Sequence, residues 1–269
     1  MISTRIRLVA LDLDGTLVGP DLTISPRVRD AIARARERGT EVTIVTGRMF
    51  AATKPFAQTL GITGPLVCYQ GAAIFEAASG TILREVDVAQ DVTRTVLEWA
   101  QEHHVHAQCY AGDRLYVQQI NRFSKRYTDL AKVEPTVVPS LRAAFADRPS
   151  IKVVLVDDAG PSEQHLADLK ALLGDRAYLT RSHVDFVEVL SPDVNKGEAL
   201  AFVAGRYGAT LAETMAIGDA WNDVPLITAA GLGVAMGSGP PELFAQADAV
   251  VGDVAHDGVA EAIERYVLT

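Results

Sequence analysis

The sequence predicts an α/β fold in two parts: a doubly wound parallel-sheet core of Rossmann-like type, and an α/β domain inserted into it. Strand-like and helix-like segments alternate at both ends of the chain, which is typical of a parallel sheet covered by helices. In the middle third, longer helix-like segments separate strands of alternating polarity. We therefore expect the core at residues 1–83 and 191–269 and the inserted domain at residues 84–190.

The amino-terminal part of the core begins with an apolar run at 6–11 that predicts a buried strand. A helix follows, because Ser25 and Pro26 supply an N-cap and a first-turn proline, and Gly39 ends the apolar stripe. The pair Ser79-Gly80 between two strand-like segments indicates a hairpin. Further strands are expected at 41–45, 66–69, 72–77 and 81–86.

The same patterns describe the rest of the chain. In the inserted domain they predict helices at 91–103 and 161–173 and a strand at 151–156. The alternation of strands and helices returns near residue 196. There we expect helices at 196–207, 223–230 and 258–266, and strands at 214–217 and 232–236.

Composition excludes several classes of function. The net charge is −9 and there is no run of lysine or arginine, which argues against a nucleic-acid or anionic-membrane surface. The amino terminus meets Asp12 before an apolar segment grows long enough for a signal peptide or a membrane span, so we expect a cytoplasmic protein. Cys68 and Cys109 form no Cys-x-x-Cys pair and are expected to be reduced, buried thiols.

Two carboxylates follow the first predicted strand. Asp12 and Asp14 share one side of the chain while it is extended, and Gly15 marks where it turns away. Their mutual repulsion would be relieved by a hard cation such as Mg²⁺, which would leave one carboxylate able to attack an electrophile. A solvated Asp-Gly turn after a core strand explains the same residues without chemistry.

Other polar residues follow later core strands. Thr46, Gly47 and Arg48 come after the second strand, and Asp219 and Asp223 come after the strand at 214–217. Lys196 starts a helix, whose amino end favours anions. Because parallel strands present ligands at their carboxyl ends, these groups are suited to hold a phosphoryl group beside a metal.

Four ordered motifs resemble those of the haloacid dehalogenase superfamily, and more narrowly of the Cof-type phosphatases. They are Asp12-Leu13-Asp14-Gly15-Thr16-Leu17, Thr46-Gly47-Arg48, Asn195-Lys196-Gly197 and Gly218-Asp219-Ala220-Trp221-Asn222-Asp223. The resemblance covers roughly residues 5–85 and 188–269. The length of the insertion between the second and third motifs resembles the α/β cap domain that this subfamily carries, called type C2B.

The resemblance implies roles for individual residues. Asp12 would be the nucleophile that forms an aspartyl-phosphate, and Asp14 the general acid and base, with its backbone carbonyl on the metal. Asp12, Asp219 and that carbonyl would hold Mg²⁺, with Asp223 contributing directly or through a water. Thr46, Gly47 and Lys196 would bind the phosphoryl oxygens. Asn222 would orient its loop or contact phosphate.

The implied function is hydrolysis of small phosphorylated metabolites, such as sugar phosphates or similar phosphomonoesters, with specificity set by the cap. Two alternatives stay open: a phosphomutase of the same fold, and a non-enzymatic signalling module that accepts phosphate on aspartate. A dehalogenase is disfavoured, because its halide displacement needs neither Mg²⁺ nor a second acid such as Asp14. The expected partner is a small phosphorylated metabolite; no nucleic acid or membrane is expected, and the sequence leaves the oligomeric state open.

Three further residues are weaker candidates for substrate binding. Arg48 varies in role within the family, and a surface salt bridge explains it equally well. Arg181 and His183 lie near the return from the cap, where loops carry function but are also simply exposed. The chain also departs from the family pattern at Gln70, where asparagine is common, and at Asn195, where a small hydroxyl residue is common.

Overall fold

The computed structural model describes residues 5–269, except for the side chain of Leu130. Residues 1–4, which the predicted core included, lie outside the described residues. The chain folds as two compact units. The first unit contains the chain up to Gly47, Thr53–Leu83 and Asn195–Thr269, and the inserted unit contains Arg48–Ala52 and Arg84–Val194. The predicted domain boundaries differ from these units at residues 48–52 and 191–194, and the division into catalytic core and cap stays a prediction.

The amino-terminal part of the chain alternates strands with helices, as predicted. Ser25 accepts a hydrogen bond from the backbone of Val28, and Pro26 opens the first helix. Gly39, with a φ of 81°, lies just past the end of that helix. The elements are β1 (Leu8–Leu11), α1 (Pro26–Glu37), β2 (Glu41–Ile44), α2 (Phe50–Thr59), β3 (Pro65–Cys68), β4 (Ala73–Glu76) and β5 (Ile82–Glu85).

The next stretch of chain builds the inserted unit. Its six-stranded sheet has the order β10-β11-β9-β6-β7-β8, and it is antiparallel apart from the β7 and β8 pair. The elements are α3 (Gln90–Glu102), β6 (His106–Ala111), β7 (Arg114–Val117), α4 (Arg122–Ala131), β8 (Thr136–Val137), α5 (Leu141–Ala144), β9 (Val153–Val156), α6 (Ala159–Leu173), β10 (Tyr178–Thr180) and β11 (Phe186–Leu190).

The carboxyl-terminal part returns to the first unit. Its strands join β1 and β2 in a five-stranded parallel sheet of order β14-β13-β12-β1-β2. A smaller sheet of order β3-β4-β5 continues from a bridge between Val45 and Val67. The elements are α7 (Lys196–Arg206), β12 (Thr214–Gly218), α8 (Val224–Ala229), β13 (Leu232–Met236), α9 (Pro241–Phe244), β14 (Ala249–Val251) and α10 (Gly258–Tyr266).

Both faces of the parallel sheet are covered. On one face, Leu8 and Ala10 of β1 pack with apolar side chains of α7 and α8. Val9 and Leu11 point to the other face and are also fully buried. A parallel sheet buried on both sides is the arrangement expected of a doubly wound fold, so the predicted α/β class is confirmed.

The two faces of the inserted sheet differ in polarity. Val153 and Leu155 of β9 pack into an apolar cluster with residues of α3 and α6. Lys152 instead pairs with Glu188 of β11 at 2.6 Å, and both side chains are almost completely buried. Removing one member of such a pair would leave an uncompensated charge, so the two residues depend on each other.

Several helices and strands of the structure were not predicted from the sequence patterns. Helix α2 contains Pro55, which weakened the helical pattern, and the strands β6, β7, β8, β10, β11 and β14 were not predicted individually. Cys68 and Cys109 are buried and form no disulfide, as predicted. Within residues 5–269, no helix combines the length and the apolar character needed to span a bilayer.

Candidate active site

The paired strands β1 and β12 bring two predicted site residues together. Leu11 lies beside Ile217 in the parallel ladder, and the backbone N–H of Asp12 donates to the carbonyl of Ile217 at 2.9 Å. Asp12 and Asp219 follow the ends of these strands at the same edge of the sheet. The topology therefore places two acids side by side that are far apart in the chain.

Lys196 connects Asp12, which follows β1, with Asp223 in the loop that follows β12. It is the first residue of α7, whose N-cap Asn195 accepts a hydrogen bond from the backbone of Glu198. Its Nζ donates to Oδ1 of Asp12 at 2.6 Å and to Oδ1 of Asp223 at 2.5 Å. All three side chains are buried, so Lys196 is a desolvated cation held between two carboxylates.

Asp223 uses both of its oxygens. While Oδ1 accepts from Lys196, Oδ2 accepts from the backbone N–H groups of Asp219 and Ala220, each at 3.0 Å. Gly218 allows this fold of the loop, because a Cβ there would lie 2.5 Å from the Cβ of Asp223. These contacts fix the loop that presents Asp219.

The turn after β1 is built around the side chain of Asp219. Thr16 Oγ1 donates to Oδ1 of Asp219 at 3.0 Å. Gly15 has a φ of +83°, and a Cβ at this position would overlap with Oδ2 of Asp219. Both the backbone conformation and the close approach therefore require glycine.

Asp12, Asp219 and Asp223 form a carboxylate cluster. One oxygen of each lies within 4.8 Å of the others, and the Asp14 carboxylate is not a member of this cluster within the described part of the chain. Asp14 is half-buried in the turn that follows β1. Of the predicted metal ligands, the structure thus brings three side chains together.

The electrostatics of the cluster favour an added cation. Burial, followed by repulsion from Asp223, raises the pKa of Asp12 well above its ordinary value although Lys196 attracts the carboxylate. The same two causes raise the pKa of Asp219 to about 7. Burial disfavours the charged form of Lys196, but Asp12 and Asp223 together outweigh it and raise the pKa of Lys196.

Charge and ligand type are consistent with Mg²⁺. If all three carboxylates are ionised, they and the one lysine carry an excess of two negative charges in a buried space, and the raised pKa values of Asp12 and Asp219 reflect the cost of that excess when no cation is bound. The available donors are all oxygen, which hard divalent cations prefer. The residues present therefore fit a bound Mg²⁺.

A second group of residues surrounds the predicted phosphate-binding positions. Thr46 is buried; its backbone N–H donates to Val67 at 2.9 Å, and its carbonyl accepts from Gln70 at 3.0 Å. The Gln70 amide packs directly against Gly47, where a Cβ would collide with it. Gln70 Oε1 accepts from Asn222 Nδ2 at 3.0 Å.

Asn222 connects this group with the carboxylate cluster, since it lies in the same loop as Asp219 and Asp223. Its own Oδ1 is buried and has no hydrogen-bond partner among residues 5–269. The structure thus brings Thr46, Gly47 and Asn222 together through Gln70.

Arg48, Arg181 and His183 belong to the inserted unit. Arg48 is buried, whereas the side chain of His183 is half exposed and accepts a hydrogen bond from the backbone of Asp185 at 3.3 Å. Arg181 lies in the segment that follows β10. Their roles in substrate binding stay predictions.

The sequence patterns did not identify two residues that contribute contacts to the site, Thr16 and Gln70. Thr16 sits inside the first motif, but its bond to Asp219 depends on the fold. In the sequence, Gln70 stands out only as a departure from the family pattern, although in the structure it contacts both Gly47 and Asn222. The departure itself was the signal that could have identified Gln70, because a longer amide reaches farther than asparagine.

Comparison with known proteins supports the motif analysis. A family model of haloacid dehalogenase-like hydrolases matches residues 9–263. Pyridoxal phosphate phosphatase YbhA of Escherichia coli (strain K12) is 31% identical over 274 residues, which cover 97% of this chain and 99% of that protein. HMP-PP phosphatase of Enterobacter sp. (strain 638) is 28% identical, with coverage of 97% and 96%.

The fold comparison agrees. A crystal structure of a haloacid dehalogenase-like hydrolase from Bacteroides thetaiotaomicron matches with a TM-score of 0.85 and 29% identity, and covers 97% of this chain and 99% of that one. The family match and the nearly complete alignments confirm the predicted family. The chain belongs to the haloacid dehalogenase-like hydrolases and is a Cof-type phosphatase.

Proposed function

We propose that this chain hydrolyses small phosphorylated metabolites in a Mg²⁺-dependent reaction that passes through an aspartyl-phosphate on Asp12. The observation that carries the proposal is the buried Asp12 carboxylate, which is bonded to Lys196 and lies within the carboxylate cluster. A nucleophilic carboxylate splits one difficult displacement at phosphorus into two easier steps.

Lys196 prepares Asp12 for attack. Burial raises the pKa of the Asp12 carboxyl group and so disfavours its ionised, nucleophilic form. The hydrogen bond from Lys196 favours the ionised form and fixes the orientation of Oδ1. An ammonium group has three donors: two of them bond Asp12 and Asp223, and we assign the third to a phosphoryl oxygen.

Asp14 is the general acid and then the general base. It would first protonate the leaving oxygen of the substrate and afterwards activate the water that hydrolyses the aspartyl-phosphate. Its half-buried position in the turn after Asp12 supports this role, because a proton-transfer group needs access to both substrate and water.

Thr46, Gly47 and Lys196 bind the phosphoryl oxygens, on which charge is spread in the transition state. At about 4 Å and an effective dielectric constant near 20, one unit-charge pair is worth roughly 4 kcal/mol, so the charged Lys196 matters more than a neutral donor. Asn222 acts through Gln70, which it supports against Gly47.

Asp12, Asp219 and the backbone carbonyl of Asp14 would hold Mg²⁺. Asp223 would act indirectly, because both of its oxygens already accept hydrogen bonds. When bound, Mg²⁺ supplies positive charge that offsets the negative charge of the phosphoryl group. Thr16 would keep Asp219 oriented toward it.

The relatives support a phosphate ester of a small metabolite as substrate. One relative is named for pyridoxal phosphate and another for HMP-PP. Together with sugar phosphates, these compounds define the first panel of candidates. We assign substrate contacts to Arg48, Arg181 and His183 and specificity to the inserted unit, and we propose a cytoplasmic location.

The test is phosphate release from this panel with Mg²⁺ and with EDTA, and with purified wild-type and variant proteins. Asp12→Asn should lower turnover at least about a hundredfold, because an amide is nearly isosteric but a poor nucleophile. Asp21→Asn, which changes an exposed aspartate, serves as the matched control. Turnover that persists after chelation would contradict the role of Mg²⁺.

Product analysis separates hydrolysis from phosphoryl transfer within the same fold. Release of inorganic phosphate in step with loss of substrate is the expected result. Isomerisation of a sugar phosphate without release would identify a phosphomutase. A stable aspartyl-phosphate that never turns over would instead identify a phospho-accepting signalling module.

A further inference from the structure

Helix α2 begins directly after the predicted phosphate-binding residues. Met49 precedes its first residue, Phe50, and there is no acidic residue in the first turn. The first amides of a helix need acceptors, which a serine, threonine, aspartate or asparagine at this position usually supplies. The methionine side chain offers no comparable oxygen acceptor.

Asp113 supplies such an acceptor from a position distant in sequence. Its Oδ1 accepts a hydrogen bond from the backbone N–H of Phe50, and its Oδ2 accepts one from Ala51, both at 2.9 Å. One carboxylate thus satisfies two amides of the first turn. Its negative charge also lies at the positive end of the helix dipole. All three residues belong to the inserted unit.

The hairpin between β6 and β7 is shaped to present this carboxylate. Ala111 pairs with Arg114, so Gly112 and Asp113 form a two-residue turn. Their φ values are 56° and 53°, the left-handed conformation that tight hairpin turns require. For a non-glycine residue this conformation carries a cost, and aspartate tolerates it better than most.

Asp113 also stays in an acidic neighbourhood. Burial, then repulsion from Asp87 and Asp113, raises the pKa of Glu85. The two bonds of Asp113 to α2 act against this repulsion.

We propose that Asp113 is a positioning residue for the reaction: by capping α2, it holds the backbone that continues from Thr46 and Gly47 in the conformation that binds the phosphoryl group. The inference rests on the proposed function, because it takes Thr46 and Gly47 to contact phosphate. It also means that the amides of Phe50 and Ala51 are occupied by the protein's own carboxylate and do not bind substrate.

The first test measures the cap without any assay of activity. Hydrogen exchange at the amides of Phe50 and Ala51 should be about 5- to 30-fold faster in Asp113→Ala than in the wild type, as expected when a helix cap is lost. Asp113→Asn retains one side-chain oxygen and should give a smaller increase. Asp147→Ala, which changes an exposed acid of the same unit, should have no effect.

The second test measures phosphate recognition. In Asp113→Ala, the KM for a phosphomonoester and the Kd for inorganic phosphate, measured by calorimetry, should rise about 5- to 30-fold, while kcat changes less than about threefold. Asp113→Asn should restore part of the affinity, and it replaces Asp113→Ala if that variant fails to fold.

The outcomes are distinguishable. Unchanged exchange in the folded Asp113 variants would overturn the cap. Faster exchange with unchanged KM and Kd would show a purely structural cap and would also overturn the proposal. If the wild type releases no phosphate from any ester, the proposed function fails. Calorimetry with inorganic phosphate then still decides the role of Asp113: a loss of affinity in the variants supports it, and equal affinity or no binding overturns it.

Discussion

Nζ of Lys196 lies 2.6 Å from Oδ1 of Asp12, although 184 residues separate them in the chain. The same Nζ lies 2.5 Å from Oδ1 of Asp223, and the three side chains are buried. The lysine is therefore both a part of the candidate site and a requirement for burying its acids. This dual role makes its removal informative for stability as well as activity.

Lys196→Met should destabilise the protein by about 3–5 kcal/mol, the cost expected when one partner of a buried ion pair is removed. Urea unfolding measures this change. Lys170→Met alters an exposed lysine and should change stability by less than about 0.5 kcal/mol. Adding Asp12→Asn to Lys196→Met should recover part of the loss. A Lys196→Met variant as stable as the wild type would show that the acids are protonated in the folded state.

Asp14→Asn should slow hydrolysis while leaving Mg²⁺ binding largely intact, because the backbone carbonyl that we assign to the metal remains. Activity assays and Mg²⁺ titration of the same preparation measure the two effects separately. Complete loss of Mg²⁺ affinity in this variant would show that the side chain of Asp14 is a ligand and that the assigned ligand set is wrong.

The site was predictable where it depends on strand ends. Parallel strands present their carboxyl ends at one edge, so the fold alone brings Asp12 and Asp219 together once β1 and β12 pair. The contacts of Thr16, Gln70 and Asp113 were not predictable, because each links residues whose proximity arises only from the folded turns.

The inserted sheet was harder to predict for a similar reason. Glu188 lies in the middle of β11, where a charged residue suggests an exposed position. Its burial is compensated by an ion pair with Lys152, which directly precedes the neighbouring strand β9. A sequence pattern records the polarity of each residue but not the identity of the residue across the sheet.

Mg²⁺ affinity should depend on pH through Asp219. Because its pKa is raised to about 7 before the cation binds, protons compete with Mg²⁺ below that pH, and affinity should fall by up to about tenfold per pH unit. The stability of the Mg²⁺-free protein should change with pH in the opposite direction to the Mg²⁺ affinity. It should fall as the pH rises from about 4 to about 7, because in this range Asp219 keeps its proton in the folded state and releases it in the unfolded state.

Calorimetry at pH 6, 7 and 8, in two buffers of different ionisation enthalpy, measures both affinity and proton release. Asp219→Asn should abolish the proton release along with most of the affinity. A Mg²⁺ affinity that is constant across this pH range would contradict the expectation that protons and Mg²⁺ compete for the Asp219 carboxylate.

Gly15→Ala should weaken Mg²⁺ binding at least about tenfold and destabilise the protein by about 1–3 kcal/mol. The new Cβ would overlap with Oδ2 of Asp219, and the φ of +83° is unfavourable for alanine. Gly205→Ala is the control, because Gly205 lies in α7 with no atom near its added Cβ, and the change should stabilise the helix by about 0.5–1 kcal/mol. If both substitutions had the same effect on Mg²⁺ binding and stability, the close approach of Asp219 to Gly15 would not require glycine.

His106 should make the folded protein sensitive to acid. Burial lowers its pKa to about 4, although the nearby Gln108 side chain acts in the opposite direction. The unfolded state therefore takes up a proton between about pH 6.5 and 4 that the folded state resists, and stability should fall by up to about 3 kcal/mol across this range.

Unfolding curves of His106→Gln at several pH values test this expectation. The variant should lack this part of the acid sensitivity, whereas His256→Gln, which alters an exposed histidine, should retain it. If wild type and His106→Gln lose stability in parallel between pH 6.5 and 4, the buried imidazole is not responsible.

The strand order has a consequence for how the protein is made. β1 lies between β2 and β12, so one edge of this apolar strand has its partner only after residues 214–218 have left the ribosome. Until then, the backbone N–H and C=O groups along that edge lack their strand partner while the whole insertion is synthesised. Unpaired strand edges of this kind promote aggregation. The carboxylate cluster also needs this carboxyl-terminal segment, because Asp219 and Asp223 follow β12.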